Sequence, residues 1–332
     1  MAELKKIIGN EEILMHFRNG IAAKKVSHAY IINGPTGSGK TMLANYIATL
    51  LQCEEGGTEP CGQCHSCKQA ANDNQPDILW VRHEKANSIG VDDIRTQIVE
   101  DVDIKPYSSR YKIYIIDEAE KMTIQAQNAL LKTLEEPPEY VVILILTNNA
   151  AGFLPTILSR CVTLKVKPTP PAAIKSYLMN DHGISEGRAN TAVAFAYGNI
   201  GKALRFAESD NFNELKNEMI SVITYIQNMD AAEVMAAVKR AEVYKLEVYD
   251  YLDMMIAWFR DVLLYKASQD SSGLIFKDNL SAIKEQAIHA SYAGIGQIVT
   301  DIEKAKTRLR ANVSFGLTIE LLYLSILENL QN

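Results

Sequence analysis

A glycine-rich loop between two apolar segments constrains this chain more than any other feature of its sequence. The loop fits the pattern G-x-x-x-x-G-K-[ST] at every defined position and consists of Gly34, Pro35, Thr36, Gly37, Ser38, Gly39, Lys40 and Thr41. It follows the apolar run at 28–32 and precedes residues 40–51, whose apolar positions recur at helical spacing. Glycines let successive N–H groups face phosphate oxygens, and the lysine and threonine suit the outer phosphates and Mg²⁺. The loop predicts an α/β domain that binds ATP; the alternative is a glycine-rich turn that binds nothing.

Two carboxylates follow another apolar run. Asp117 and Glu118 come directly after residues 113–116, at what would be the C-terminal end of a buried strand. Ligand sites in open α/β sheets lie at this end of the strands. Asp117 would hold Mg²⁺, directly or through water, and Glu118 could polarise the attacking water as a general base. In isolation the pair could be two solvated acids in a turn, but an intact phosphate loop in the same domain favours the catalytic interpretation.

Two further polar residues stand at strand boundaries. Asn148 ends the apolar run at 141–146, where its side chain could contact the γ-phosphate or position the attacking water; a cap of the next turn is the alternative. Arg160 precedes the run at 162–166 and could serve a neighbouring subunit as an arginine finger, acting in trans. Spacing alone favours a surface ion pair for Arg160.

Four of the five cysteines are clustered with the spacing C-x7-C-x2-C-x2-C: Cys53, Cys61, Cys64 and Cys67. Four thiolates favour tetrahedral Zn²⁺ in a closed structural site, with an iron–sulfur cluster as the minor alternative. Catalytic zinc does not fit, because four thiolates leave no open position. His65 could substitute for one cysteine. Cys161 lies far along the chain and is expected to be a small buried hydrophobe.

The pattern of apolar segments divides the chain. Buried runs separated by helical segments, such as 40–51 and 125–134, predict a parallel α/β sheet. The expected strands are 28–32, 78–81, 113–116, 141–146 and 162–166. Strand signals disappear after the Pro-rich segment at 167–171.

Beyond that segment the sequence predicts only helices. Residues 172–207 suggest short helices split by glycines, and the remainder suggests longer amphipathic ones, including 243–266 and 295–310. The glycines expected to split the short helices are Gly183, Gly187, Gly198 and Gly201. The predicted domains are 1–167, 168–208 and 209–332, consistent with a length of 332 residues.

Composition excludes several classes of protein. A net charge of −6 argues against a chain that coats nucleic acid by charge alone. The first twenty residues lack the apolar core of a signal peptide. The longest apolar run, 140–146, is far shorter than the ~20 residues of a membrane-spanning helix. A cytoplasmic protein is therefore expected.

The order of motifs resembles that of the AAA+ clamp-loader subunits of bacterial DNA polymerase III. The motifs are GPTGSGKT, the four-cysteine insert, IYIIDEAEKM, NALLKTLEEPP, LTNNA and LPTILSRC. The resemblance covers about residues 5–167 and extends more loosely into the helical part. It implies a RecA-like AAA+ domain with a parallel sheet, a small helical lid, and an all-helical C-terminal domain that assembles into a collar.

Two groups in this family share such an N-terminal half: the tau/gamma motors and the delta-prime subunits. The length leaves no room for the long tail of a tau-type chain. Gly201, followed by Lys202, stands at the position that resembles the sensor-2 arginine position of the tau/gamma motors. Both features favour the delta-prime group, with weak or absent ATPase activity of its own. The alternatives are a tau/gamma-like ATPase motor and, remotely, a zinc-lidded nucleotide kinase.

The resemblance also implies partners and roles. The chain would join tau/gamma and delta subunits in a complex that opens the sliding clamp and places it on primer–template DNA. Arg160 matches the family's SRC finger, and Asn148, or Thr147 beside it, matches the sensor-1 position. The family's zinc ligands map onto the four clustered cysteines. Four apolar residues of the helical part are candidates for partner contacts, with core packing as the alternative: Met254, Met255, Trp258 and Phe259.

Overall fold

The protein is described here by a computed structural model that covers residues 7–209 and 211–331. The chain forms two compact units, Met1–Leu204 and Arg205–Asn332. Within the described residues, no helix combines the length and apolar composition that are needed to cross a membrane.

The first unit is built on a five-stranded parallel sheet with the order β2-β3-β4-β1-β5. The strands are β1 (Ala29–Asn33), β2 (Ile78–Trp80), β3 (Lys112–Ile116), β4 (Val141–Thr147) and β5 (Val162–Lys165). The predicted α/β class and all five predicted strands are confirmed, with ends shifted by one residue at most. Strand register pairs Asn33 with Thr147 and Ile116 with Ile145, so β1, β3 and β4 end at one edge of the sheet.

Nine helices are described from the N-terminus through the segment that follows the sheet. They are α1 (Glu11–Ala22), α2 (Lys40–Gln52), α3 (His65–Ala71), α4 (Val91–Ile94), α5 (Ile124–Glu135), α6 (Pro155–Leu158), α7 (Pro171–Asn180), α8 (Glu186–Ala196) and α9 (Ile200–Glu208). The predicted helices at 40–51 and 125–134 are confirmed as α2 and α5. The Thr123 side chain caps α5 by accepting a hydrogen bond from the Ala126 N–H, and the helix ends before Pro137.

Alternation along the buried strands places two apolar cores on opposite faces of the sheet. Ile143 and Ile145 of β4 pack in one core with Leu130 of α5. Leu144 lies in the other core with Ile47 of α2. Because helices cover both faces, every residue of the central strands β3 and β4 is buried.

Two of the four glycines predicted to split the short helices do so. Gly183 and Gly198 lie between helices with φ of 65° and 80°, a backbone conformation that favours glycine. Gly187 lies inside α8 and Gly201 inside α9, so the breaks predicted at these two positions are wrong. A glycine with helical dihedral angles weakens a helix without ending it.

The described residues of the second unit form helices and the turns that connect them, with no strand. Its helices are α10 (Asn211–Tyr225), α11 (Ala231–Ala241), α12 (Val248–Ser268), α13 (Leu280–His289), α14 (Tyr292–Arg310) and α15 (Phe315–Gln331). The helix predicted from residue 243 begins only at Val248. The preceding turn is a 3-10 helix in which Tyr244 has non-helical dihedral angles, φ −100° and ψ 28°.

Residues of α12 form the centre of this unit's core. Met254, Met255, Trp258 and Phe259 are at most 1% exposed. The Trp258 indole N–H donates to Gln286 Oε1 at 2.8 Å, which satisfies the buried polar group. These four residues therefore pack within the unit, and their suggested role as contacts for a partner is wrong.

Candidate functional site

The glycine-rich loop connects β1 to α2 at the edge where three strands end. Gly37 and Gly39 have φ of 80° and 89°, which a residue with a side chain rarely adopts. The ammonium group of Lys40 donates to the carbonyl oxygens of Gly34 and Pro35 at 2.7 and 3.0 Å. Burial lowers the pKa of Lys40. The loop thus holds a cation against its own carbonyl groups, in reach of a bound anion.

The predicted acidic pair lies directly beside this loop. The Thr41 hydroxyl donates to Asp117 Oδ2 at 3.2 Å, across 76 residues of sequence. The Glu118 N–H donates to the other carboxylate oxygen of Asp117 at 2.8 Å. The structure therefore brings Thr41 and Asp117 together, and their oxygens are the type of ligand that Mg²⁺ prefers.

Glu118 has a partner that the sequence did not indicate. Its carboxylate pairs with the Lys121 ammonium at 2.5 Å and lies 3.9 Å from His83 Nε2. Its backbone is in the left-handed region, with φ of 48°. In this arrangement the carboxylate forms an ion pair with Lys121, and a water molecule would have to displace this contact before Glu118 could act as a general base.

Glu120 is a third acid at the site, and the sequence analysis missed it. It accepts hydrogen bonds from the Thr147 hydroxyl at 3.1 Å and from the Asn148 N–H at 3.2 Å. Its charge and that of Asp117 both oppose the lowering of the Lys40 pKa by burial. The sequence signal that could have identified Glu120 is its position three residues after Asp117, because a single turn after a strand can bring both carboxylates to the same side.

The two candidates at the end of β4 occupy different environments. Thr147 is fully buried and reaches Glu120 through its hydroxyl group. Asn148 is exposed and reaches the same acid through its backbone N–H. A cavity lies beside Lys40, and neither Thr147 nor Asn148 is among the described residues that line it.

A cavity of about 330 Å³ lies between the loop and the helices that follow the sheet. It is lined by Thr36, Gly37, Gly39, Lys40, Thr41, Met42, Asp117, Glu118, Glu120, Tyr177, Ile200, Gly201 and Leu204. A smaller neighbouring cavity shares Met42, Tyr177 and Ile200 and adds Ile7 and Ile8. The larger cavity is lined by a lysine and carboxylates and also by apolar side chains, including Ile200 and Leu204. Such a space suits a ligand that has phosphates at one end and a flat base at the other.

The first turn of α9 is bonded to the loop. The Asn199 side-chain amide donates to the Thr36 carbonyl at 2.8 Å, and the Gly201 N–H donates to the Gly37 carbonyl at 2.9 Å. A Cβ atom at residue 201 would lie 2.6 Å from the Gly37 oxygen. Only glycine permits this approach, so α9 and the loop form one wall of the cavity. Asn199 was missed by the sequence analysis.

The four clustered cysteines converge as predicted. Their Sγ atoms all lie within 4.8 Å of one another, and Cys61 and Cys67 are 4.0 Å apart. Cys53 caps the end of α2, and Cys64 caps the start of α3. This geometry can hold a tetrahedral metal ion, whose bonds to sulfur are about 2.3 Å long.

Backbone N–H groups surround the cysteine cluster. The N–H groups of Cys64 and Gln63 donate to Cys61 Sγ at 3.3 and 3.5 Å. These bonds lower the pKa of Cys61, whereas burial raises the pKa of Cys67. Donors aimed at sulfur stabilise the thiolate form, which is the form that binds metal. Cys161 stands apart, partly buried against the sheet core, and burial raises its pKa to about 12.

Arg160 lies between α6 and β5 and is not among the described residues that line the cavity. Its guanidinium pairs with Glu135 Oε1 at 2.9 Å. It also donates to the Thr156 carbonyl at 3.0 Å and to Ser159 Oγ at 3.3 Å. About a third of the side chain is exposed. Both interpretations of Arg160 stay open, since a surface ion pair and a group presented to a neighbour share this geometry.

The parallel sheet, the loop after β1 and the acids after β3 define the chain as an AAA+ protein with a P-loop. Residues 9–170 match the family model described as "DNA polymerase III, delta subunit". The chain is 30% identical over 314 residues to the DNA polymerase III subunit delta' of Bacillus subtilis, covering 93% of this chain and 94% of that protein. It belongs to the family of DNA polymerase III clamp-loader subunits that includes delta-prime, tau and gamma.

The chain is also similar to two further proteins. The DNA polymerase III subunit tau of Bacillus subtilis is 31% identical over 293 residues, which span 82% of this chain and 52% of that protein. A solved structure of a gamma subunit-related protein from Thermotoga maritima is 21% identical and has a TM-score of 0.45, with 96% of this chain and 99% of that chain covered.

Proposed function

We propose that the protein is a delta-prime-type clamp-loader subunit that binds ATP with Mg²⁺ and presents Arg160 to the nucleotide site of a neighbouring tau/gamma subunit. With the delta subunit these partners would load a sliding clamp onto primer–template DNA in the cytoplasm. The observation that carries the proposal is the 30% identity to the delta' subunit over 93% of this chain. The position of Arg160 is compatible with the proposed contact to a neighbour. The side chain is held by three groups of its own chain, is partly exposed, and lies outside the lining of its own cavity.

The cavity supports nucleotide binding. Lys40 would exchange the carbonyl groups of the loop for phosphate oxygens, and the loop N–H groups would add further donors. Thr41 and Asp117, already 3.2 Å apart, would hold Mg²⁺, which neutralises charge on the outer phosphates. Ile7, Ile8 and Tyr177 would cover the base. Asn148 would act near the γ-phosphate after a change of side-chain position.

Two features support slow hydrolysis by the chain itself. The candidate base, Glu118, is paired with Lys121. Residue 201 is a glycine, and the Gly37 carbonyl oxygen occupies the space where a side chain would begin. This position therefore supplies no cation to the cavity. The bound nucleotide would then stabilise the contact between the loop and α9 and would not supply energy through hydrolysis.

We further propose that the four clustered cysteines hold a structural Zn²⁺ ion. Four sulfur ligands match the preference of zinc and leave no coordination position for a substrate. The ion would fasten Cys53, at the end of α2, to the turn at 61–64 and the start of α3.

The test compares the complex containing this chain with the complex containing its Arg160→Ala variant, each assembled with tau/gamma and delta subunits. The isolated chain is expected to bind ATP and to hydrolyse it slowly. Arg160→Ala is expected to lower ATP turnover of the complex by about a third to a half, because one site loses its finger while sites served by other subunits continue. Arg18→Ala is the matched control, since Arg18 forms a comparable surface ion pair with Glu59.

The alternative function is a tau/gamma-like ATPase motor. Fast hydrolysis by the isolated chain, together with an unchanged rate for the Arg160→Ala complex, would support the motor and contradict the proposal. An intact glycine-rich loop with its lysine is the observation that favours this alternative.

Glu120 gives a separate prediction about nucleotide affinity. Glu120→Gln keeps an oxygen that can accept from Thr147 and Asn148 but removes a negative charge from the cavity. We expect ATP to bind about fivefold more tightly in the absence of Mg²⁺, since about 1 kcal/mol of repulsion is removed. Calorimetric titration measures this, with Glu100→Gln, an exposed acid outside the cavity lining, as the control. Equal affinity for wild type and Glu120→Gln would show that the charge does not face the phosphates.

A further inference from the structure

The C-terminal end of α5 carries a charge of unfavourable sign. Glu135 is the last residue of this helix and Glu136 is its C-cap. A helix C-terminus has partial negative charge, so carboxylates there are destabilising and basic residues are preferred. Lys132 is the basic residue of this last turn, and a second cation from another segment pairs with Glu135.

The partner is Arg160. Its Nη2 atom lies 2.9 Å from Glu135 Oε1, while its Nη1 atom donates to the Thr156 carbonyl and to Ser159 Oγ. Thr156 and Ser159 belong to the same short segment as Arg160, whereas Glu135 comes from α5. The carboxylate is thus the contact that ties the guanidinium to a different element of the fold.

We infer that Glu135 is a positioning residue that sets the direction of the Arg160 guanidinium toward a neighbouring subunit; this inference rests on the proposed function. A guanidinium presents its donors in a fixed planar fork. Holding one nitrogen with a carboxylate and another with a carbonyl fixes that plane and leaves other N–H donors to meet phosphate oxygens. A finger oriented before the subunits meet loses less freedom when it reaches the transition state.

Stability does not account for this pair. The Arg160 and Glu135 side chains are 34% and 49% exposed, and ion pairs with such exposure contribute little to folding. Removal of Glu135 is therefore expected to leave the fold intact and to act on the placement of Arg160.

The experiment measures ATP turnover by complexes that contain wild type, Glu135→Ala, Arg160→Ala or the double variant. The Arg160-dependent turnover is the difference between the wild-type complex and the Arg160→Ala complex. We expect Glu135→Ala to lower this quantity about fivefold at saturating ATP, with KM changed less than about twofold, because a misplaced group loses rate rather than binding. Glu135→Gln, which keeps a hydrogen-bond acceptor, should restore most of it.

The double variant separates positioning from a general structural effect. Glu135→Ala should change nothing further in the Arg160→Ala background, since Glu135 acts only through Arg160. Glu136→Ala, which removes the adjacent acid, is the matched control and should match wild type. Thermal unfolding of each free chain verifies folding. If Glu135→Ala does not fold, Glu135→Lys, which repels the guanidinium and suits a helix C-terminus, serves in its place and should lower the Arg160-dependent turnover in the same way.

The two proposals fail in different ways. If Arg160→Ala leaves turnover of the complex unchanged, the proposed function is wrong. If Arg160→Ala lowers turnover but Glu135→Ala does not, only the inference about Glu135 is wrong. A further loss caused by Glu135→Ala in the Arg160→Ala background would also overturn it, because Glu135 would then act by another route.

Discussion

Cys67→Ala is expected to abolish zinc binding and to lower the melting temperature by about 10 °C. Cys67 is 1% exposed and its sulfur lies 4.0 Å from Cys61 Sγ, so alanine removes one of four ligands from the centre of the cluster. Structural zinc contributes folding free energy directly. A loss of about 3 kcal/mol or more corresponds to about this change of temperature in a unit of some two hundred residues.

Metal analysis of the purified chain and thermal unfolding test this prediction. Wild type should contain one zinc ion per chain, and Cys67→Ala should contain none. Cys161→Ala is the matched control, since it removes a partly buried thiol that lies outside the cluster and should keep the metal. Retention of zinc by Cys67→Ala would contradict the proposed ligand set. Iron with visible absorption in wild type would identify an iron–sulfur cluster instead.

Gly201→Ala is expected to weaken ATP binding about thirtyfold. The added methyl group would lie 2.6 Å from the Gly37 carbonyl oxygen, so α9 must move away from the loop. That movement breaks the hydrogen bond between the Gly201 N–H and Gly37 and displaces Ile200 and Leu204, which line the cavity. A cost of about 2 kcal/mol is typical of such overpacking and converts to about thirtyfold in the dissociation constant.

The chain contains a matched control for this substitution. Gly187 also lies inside a helix, and a Cβ atom there would meet nothing within 4 Å. Gly187→Ala should therefore leave ATP binding unchanged and raise stability slightly, by about 0.5 to 1 kcal/mol. Calorimetric titration with ATP measures the dissociation constants of both variants and of the wild type. Equal affinity for Gly201→Ala and wild type would show that the contact between α9 and the loop has no part in binding.

Local patterns were sufficient to predict the sheet and the convergence of its functional residues. The loop after β1 and Asp117 after β3 were each visible in short segments, and parallel strands place both at one edge of the sheet. The cysteine cluster was visible for the same reason, because its four cysteines lie within fifteen residues of sequence. In each case the information lies in spacing along the chain.

The features that sequence reasoning missed depend on contacts between distant segments. The bond between Glu120 and Thr147 follows from the register of β3 and β4, which no local pattern specifies. The pairing of Glu118 with Lys121 depends on a left-handed residue in the turn. The predicted start of the helix at residue 243 was wrong, because Tyr244 adopts non-helical angles between apolar positions that fit a helical period.

The contact between Gly201 and Gly37 has a consequence for how such a subunit can change over evolutionary time. The resemblance to the motor subunits places their sensor arginine at this position. A single codon change to arginine would put a side chain into the space that the Gly37 carbonyl occupies. To accommodate arginine, α9 would have to move away from the loop, and the hydrogen bond from Asn199 to Thr36 would have to be lost. Arginine at this position is therefore expected to require further substitutions in α9 and in the loop, and a single replacement is expected to weaken nucleotide binding.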